Sequence, residues 1–272
     1  MDKATMPTTT GPRRVIRGSD SQNDTKDVLP FGIHWIRGTI PIEMLGSVRG
    51  YFQMLFGDFE SRKFGLWFYD RSDCWPNGAS LQYHSTDDRL EMTRGRVAVE
   101  IPGSVLDDFD LLIVRMMMRS LDAYDFQASR IDVYHDDYER IITPAKLFAA
   151  VYEPGIEGGP PVRADFSGFL RIQHKAEHHK THGMLHDEVD FGRRGSDGSG
   201  KYLRIYDKEL ESHGRLKCIR WELELSDKRA RKAWEAVTRA GGETAEEIAA
   251  AVSGVIGCMI GACVDFRQRT GD

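Results

Sequence analysis

The chain has 272 residues, with 37 Lys plus Arg against 42 Asp plus Glu, a net charge of −5, a pI near 6.0 and a mean hydropathy of −0.45. At 40% hydrophobic and 10% aromatic residues it can bury a sizeable core, which excludes disordered, collagen-like and coiled-coil architectures for its bulk. The basic excess that marks many nucleic-acid binders, a pI above ~9, is absent, so non-specific affinity for DNA should be weak.

Residues 1–28, rich in Thr, Ser, Asp, Arg and Gly, read as a disordered lead-in, and the lack of an apolar run after the first charges argues for a cytoplasmic protein. Residues 29–272 then form one domain, with two sub-halves divided by the Gly/Pro-rich stretch at 153–161. Gly32 to Ile40 alternates apolar and polar residues as a half-buried strand does, and Ile42 to Phe56 has helical spacing that stops at Gly57. Strands are expected at Phe64 to Tyr69, Ala79 to Tyr83 and Arg96 to Ile101, and a helix over Leu106 to Ser120 with acids in its first turn. A strand at Ser129 to Tyr134 leads into His135, Asp136 and Asp137, followed by a helix from Pro144 to Tyr152.

Beyond the break come strands at Gly168 to His174, Glu188 to Arg193, Lys201 to Asp207 and Leu216 to Leu225, then helices from Asp227 to Ala240 and from Thr244 onward. The last contains an uncharged run, Ile248 to Val264, too short and too rich in small residues for a convincing membrane span. It reads instead as a buried helix packed through Gly257 and Gly261. Strands and helices mix without strict βαβ alternation, so the expected class is α+β with a mainly antiparallel sheet. The scattered cysteines, Cys74, Cys218, Cys258 and Cys263, form neither a zinc motif nor a disulfide framework and read as buried free thiols.

Three strands carry charge where apolar alternation makes charge expensive. On SRIDVYHDD, Arg130, Asp132 and Tyr134 share one face; on KYLRIYDKELE, Arg204, Tyr206 and Lys208 do; on CIRWELEL, Arg220, Glu222 and Glu224 do. If the strands are neighbours, that face suits metal-assisted phosphoryl transfer from a tyrosine. Asp132, Glu222 and Glu224 would be oxygen ligands for Mg²⁺ or Mn²⁺, Tyr206 the nucleophile, and Lys208 or an arginine the group favouring its phenolate. The same residues equally make a face of solvated Arg–Glu pairs. FGRRGSDGSGKY (191–202) is not a P-loop, but its glycines, serines and Arg193, Arg194 and Lys201 suit either a phosphate-contacting turn or a plain hairpin turn. Histidines 174, 178, 179, 182 and 186 include i, i+4 pairs, yet no Glu stands where a metalloprotease helix needs it, so they read as a polar connection able to touch phosphates.

In this order and spacing, R-x-D-x-x-x-D-D (130–137), G-R-R-G-S-x-G-S-G-K-Y-L-R-I-Y-D-K-x-x-E (192–211) and R-W-E-L-E-L (220–225) resemble the replication initiation factor family. These are initiators of rolling-circle plasmids and filamentous phages, together with related relaxases of integrative conjugative elements. The resemblance runs from about Gly32 to Arg269. It implies that Tyr206 attacks a phosphodiester at an origin, forming a 5′-phosphotyrosyl link and freeing a 3′-OH primer, before a later strand transfer rejoins the DNA. It implies a divalent ion on Asp132, Glu222 and Glu224, with Asp136 or Asp137 as further ligands, and Lys208 and Arg204 flanking the reaction. Arg193, Arg194, Lys201 and Arg130 would hold DNA. Tyr202, on the same strand face as Tyr206, competes as nucleophile. Implied partners are double-stranded origin DNA, single-stranded DNA, and a host helicase and polymerase; a homodimer is compatible with opening and later closing a strand, and no membrane is implied. The alternative is a non-catalytic origin- or operator-binding protein, and a third reading is an unrelated metal-dependent hydrolase.

Overall fold

The computed structural model describes residues 29–66, 68–152, 162–165, 172–179, 183–192, 200–240, 244–261 and 265–268. The lead-in 1–28, the break at 153–161, His182, Arg193, Arg194 and Cys263 lie outside them.

Strand β1 (Phe31–Pro41) is followed by a short 3-10 turn and helix α1 (Leu45–Phe56), which ends at Gly57 with φ of 83°. Strands β2 (Glu60–Arg62), β3 (Arg71–Cys74) and β4 (Ser80–Tyr83) form a meander. A one-turn helix α2 (Asp87–Leu90), strand β5 (Arg96–Ile101), and helices α3 (Gly103–Leu106) and α4 (Leu111–Asp122) lead to the long strand β6 (Gln127–Asp137). Helix α5 (Pro144–Tyr152) and strands β7 (Val162–Asp165), β8 (Ile172–His179), β9 (Gly183–Phe191) and β10 (Lys201–Asp207) come next. Helix α6 (Lys208–Glu211), strand β11 (Ile219–Ser226), helices α7 (Asp227–Arg239) and α8 (Ala245–Gly261) and strand β12 (Asp265–Gln268) complete the described chain.

Ten strands make one sheet in the order β2-β3-β4-β5-β1-β6-β11-β10-β9-β8, all neighbours antiparallel, while β12 and β7 pair separately. The fold is therefore α+β. The β6–β11 pair joins strands from either side of the break at 153–161 within one sheet. One sheet face is apolar: Ile131, Val133, Leu203, Ile205, Ile219, Leu223 and Leu225 are buried there, under Trp234 and Val237 of α7 and Ile248 and Val252 of α8. The amphipathic pattern of α7 follows from this, since its apolar side chains recur every three or four residues and seal the sheet.

Several expectations change. The described residues of Phe64 to Tyr69 form no strand but a turn between β2 and β3, with Gly65 N–H donating to Tyr69 O and Tyr69 N–H to Leu66 O and with Phe64 and Leu66 left exposed; Trp67 lies outside the described residues. Leu106 to Ser120 is two helices, because the Asp110 carboxylate accepts from Leu112 N–H and starts a new N-terminus there. The histidine segment is the β8–β9 hairpin, so i, i+4 spacing among its strand residues does not bring them to one helical face. Helix α8 buries Ile248, Val252, Val255 and Ile256, whereas a Cβ at Gly257 would meet nothing within 4 Å, so Gly257 is not a packing glycine; the packing of Gly261 lies outside what the structure describes. Among the described residues, no helix is long and apolar enough to cross a membrane. Cys218 is buried, as expected of a core thiol, but Cys258 is exposed.

Candidate functional site

The polar face opposite those helices is built by register. Alternate residues of antiparallel strands meet in cross-strand rows, and here the rows are dense with charge. Trp35, Asp132, Glu224 and Tyr202 form the first. Gly32, Tyr134, Glu222, Arg204 and Asp190 form the second. Asp136, Arg220, Tyr206, Glu188 and Lys175 form the third. The three charged strands do lie together, with β11 between β6 and β10, as the shared face requires.

At the centre, the Tyr206 hydroxyl donates to Glu222 Oε2 at 2.8 Å. The Arg204 guanidinium bridges Glu222 at 3.3 Å and Glu188 at 2.6 Å, and its carbon stands 4.8 Å from the Tyr206 ring centroid. Glu222 stays ionised: its burial is outweighed by His34, Arg204 and the Tyr206 hydroxyl, which hold its pKa below the usual carboxylate range. Tyr206 is only 2% exposed, and burial, reinforced by the Glu222 charge, pushes its phenol well above the ordinary tyrosine value. Tyr202 is pushed up likewise, by burial and by its hydrogen bond to Asp190.

Arg220 runs alongside. Its guanidinium makes paired hydrogen bonds to Asp136 at 2.7 and 2.8 Å, lies 3.9 Å over the Tyr134 ring and reaches His34 Nδ1 at 3.4 Å. Arg130 Nε donates to Asp132 at 2.8 Å, its Nη2 lies 3.0 Å from Glu224, and its guanidinium stacks 4.8 Å from the Trp35 ring. Arg130 thus binds the face's own acids. Lys208 is not on the strand face: it opens α6, and its ammonium pairs with Glu211 at 2.8 Å, 5.7 Å from the Tyr206 ring. Lys201 begins β10 with the parity of Leu203 and Ile205, the face away from Tyr206.

His34 was invisible as a site residue in the sequence. Ile33 opposes Val133 and Trp35 opposes Asp132, so one extra residue, His34, is inserted between them as a β-bulge. The bulge turns His34 onto the polar face, where Nε2 lies 3.8 Å from Glu222 Oε2 and Nδ1 3.6 Å from Asp107. Gly103 makes the space, since a Cβ there would stand 2.1 Å from the imidazole. Glu188 and Asp190 on β9 were also missed, although their alternation in HDEVDF carried the signal.

The metal expectation fares differently. Asp132 and Glu224 share Arg130, while Glu222 is taken by Arg204 and Tyr206; Asp136 is held by Arg220, and Asp137 accepts from backbone N–H groups at 139–141. Among the described residues, no group of three or more His, Cys, Asp or Glu side chains is placed to hold a metal ion. As folded, the trio does not fit a shared divalent ion, and the chemistry below uses the chain's own charges.

The buried acids set a pH signature. Burial raises Asp132 from 3.8 to about 6 despite Arg130, so between about pH 4 and 6 the folded protein binds a proton the unfolded chain has lost. Stability from this residue falls as pH rises through that window. Glu188 behaves oppositely: against its burial, Arg204 and Lys175 hold it down from 4.5 to about 2, so its contribution is present above 4.5 and is lost as pH falls through 2. In urea titrations, the stability of Asp132→Asn relative to the wild-type protein should rise by about 2 kcal/mol from pH 4 to 6.5. Parallel curves would show that Asp132 is ionised throughout.

No family model matches the chain, and no curated protein matches it in sequence. Its fold is similar to that of a solved structure, the rolling circle replication initiator protein from Geobacillus stearothermophilus, with a TM-score of 0.64 and 18% sequence identity over 89% of each chain.

Proposed function

We propose that the protein initiates rolling-circle replication by nicking one DNA strand and later rejoining strands, with Tyr206 as nucleophile. The observation that carries this reading is the Tyr206–Glu222 hydrogen bond of 2.8 Å between two flanking guanidiniums, on a fold similar to that of a rolling circle replication initiator protein. In the reaction, Tyr206 Oη attacks phosphorus, the bond from phosphorus to the 3′ oxygen breaks, and the 3′ oxygen leaves as a hydroxyl by taking a proton from water, while the proton given up by the phenol passes through Glu222 back to solvent. Glu222 accepts the phenolic proton as the new bond forms, because a phenol this hard to ionise cannot wait as a free phenolate. In this reading Arg204 and Arg220, beside the Tyr206 side chain, would stabilise the charge that grows on the phosphoryl oxygens, a role suited to guanidinium forks. Rejoining is the reverse attack by a 3′-OH on the phosphotyrosine. A divalent ion, Mg²⁺ or Mn²⁺, belongs to the proposal only as a condition to be varied.

One observation favours the alternative, a non-catalytic DNA-binding protein: Asp132, Asp136, Glu222 and Glu224 each already pair with an arginine, and Tyr206 is closed in. The two separate on supercoiled plasmid carrying the cognate origin, incubated with and without Mg²⁺ or Mn²⁺. Nicking predicts relaxed DNA bound covalently to protein, with the nucleotide mass on the tryptic peptide holding Tyr206. A shifted plasmid with no adduct favours the alternative.

A further inference from the structure

The polar face does not stop at the tyrosine site. Through Arg37 and Glu100 the same parity continues across β5, β4, β3 and β2, by way of Ser80, Cys74 and Glu60 in one row and Ala98, Gln82, Ser72 and Arg62 in the next. On this side lies a hollow of about 530 Å³, walled by Trp35, Phe64, Leu66 and Trp75 with Ser80 and Gln82 on its floor. That volume lies within the range of ordinary ligand sites, roughly 300–1,000 Å³.

Its wall is built rather than loose. The turn carrying Phe64 and Leu66 is tied to buried groups of the sheet: Leu66 N–H donates to Gln82 Oε1 at 2.8 Å and Ser72 Oγ donates to Phe64 O at 2.7 Å. Gly65 sits so close to Tyr69 and Arg71 that a Cβ would approach their atoms to 2.8 Å. Yet Phe64 is 66% and Leu66 54% exposed. A fixed pair of apolar side chains, held open beside a hollow, is a surface that a ligand covers.

We infer that this hollow binds a base of single-stranded DNA whose strand runs across the face to Tyr206; the inference rests on the nicking reading above. Trp35 links the two places, since it walls the hollow and also begins the row of Asp132, Glu224 and Tyr202, with Arg130 stacked on its indole. From β4, which carries Ser80 and Gln82, to β10 is five strand spacings, about 24 Å, and Tyr206 lies three rows further along, so the strand between them would be on the order of five nucleotides. Bases suit such a wall because each has a π-face for an aromatic side chain, while on the floor Gln82 is already bonded to Leu66 N–H and Ser80 Oγ, so the aromatic wall and not the floor would make the contact. Duplex DNA cannot present a base to it without unstacking.

The test measures binding, not cleavage. Fluorescence anisotropy of a labelled twelve-nucleotide oligo-dT should show Phe64→Ala binding roughly ten-fold more weakly than the wild-type protein, with an unchanged thermal midpoint because Phe64 is largely exposed. An abasic residue walked along the oligonucleotide should weaken wild-type binding by a similar factor at one position and leave Phe64→Ala unaffected there. Wild-type protein that ignores oligo-dT, a Phe64→Ala variant that binds normally, or an equal loss on duplex DNA each overturns the hollow as a base site. The two readings fail separately. A covalent origin adduct with normal Phe64→Ala binding keeps the nickase and discards the hollow; the position-specific loss without any adduct keeps the hollow and discards the nickase.

Discussion

Tyr206→Phe will form no detergent-resistant adduct with nicked origin DNA, while remaining folded and binding that DNA as the wild-type protein does. The substitution removes one oxygen from a closed site. What it costs the fold is a single hydrogen bond to Glu222, about 1–2 kcal/mol, because Arg204 still pairs with that carboxylate at 3.3 Å and His34 lies 3.8 Å from it. What it costs the reaction is the nucleophile itself, so the adduct should fall below detection at every metal concentration tried. Glu222→Gln tests the partner: it keeps the shape but is a poor proton acceptor, and nicking should slow by about 10²–10⁴. If Tyr206→Phe still captures DNA covalently, the nucleophile is elsewhere, and Tyr202, two rows away and hydrogen-bonded to Asp190, is the residue to change next.

Why Tyr206 could be found from sequence, and His34 could not, is a matter of periodicity. On β6, β10 and β11 charged residues alternate with Ile, Val and Leu, so the shared face follows from strand geometry once the strands are known. A bulge breaks that rule by one residue, and nothing in GIHWIRGTI says which residue is the extra one. The aromatic run FGLWFY reads as a strand by composition, yet Gly65 N–H donates to Tyr69 O in a turn, a tertiary choice that leaves Phe64, Leu66 and Phe68 outward while Tyr69 is buried. The carboxylate trio is a different case. Face parity places the carboxylates together but says nothing of the guanidiniums between them, and here Arg130 pairs with Asp132 and Glu224 and Arg204 with Glu222.

The same arginines make the site costly to disturb, and the deepest pair should show it most. Arg220 is 1% and Asp136 2% exposed, and the two make paired hydrogen bonds within the row that contains Tyr206. Asp136→Ala removes the carboxylate and leaves a buried guanidinium facing the Tyr134 ring and His34, neither of which carries a compensating full negative charge. The expected loss is about 3–5 kcal/mol in urea unfolding, a large part of the stability of a domain held by roughly 5–15 kcal/mol. Arg220→Met on top of Asp136→Ala should recover some of it, because the stranded charge is gone and an unbranched side chain can fill the space. The coupling between the two substitutions, rather than either single loss, measures the clamp. A single variant that unfolds within about 1 kcal/mol of the wild-type protein would mean that water reaches Arg220 and that the Tyr206 row is not held from this side. Because Arg220 faces Tyr206 across β10 and β11, a destabilised clamp should also blunt nicking at temperatures where the fold persists, and restoring packing with Met should return stability without returning that activity.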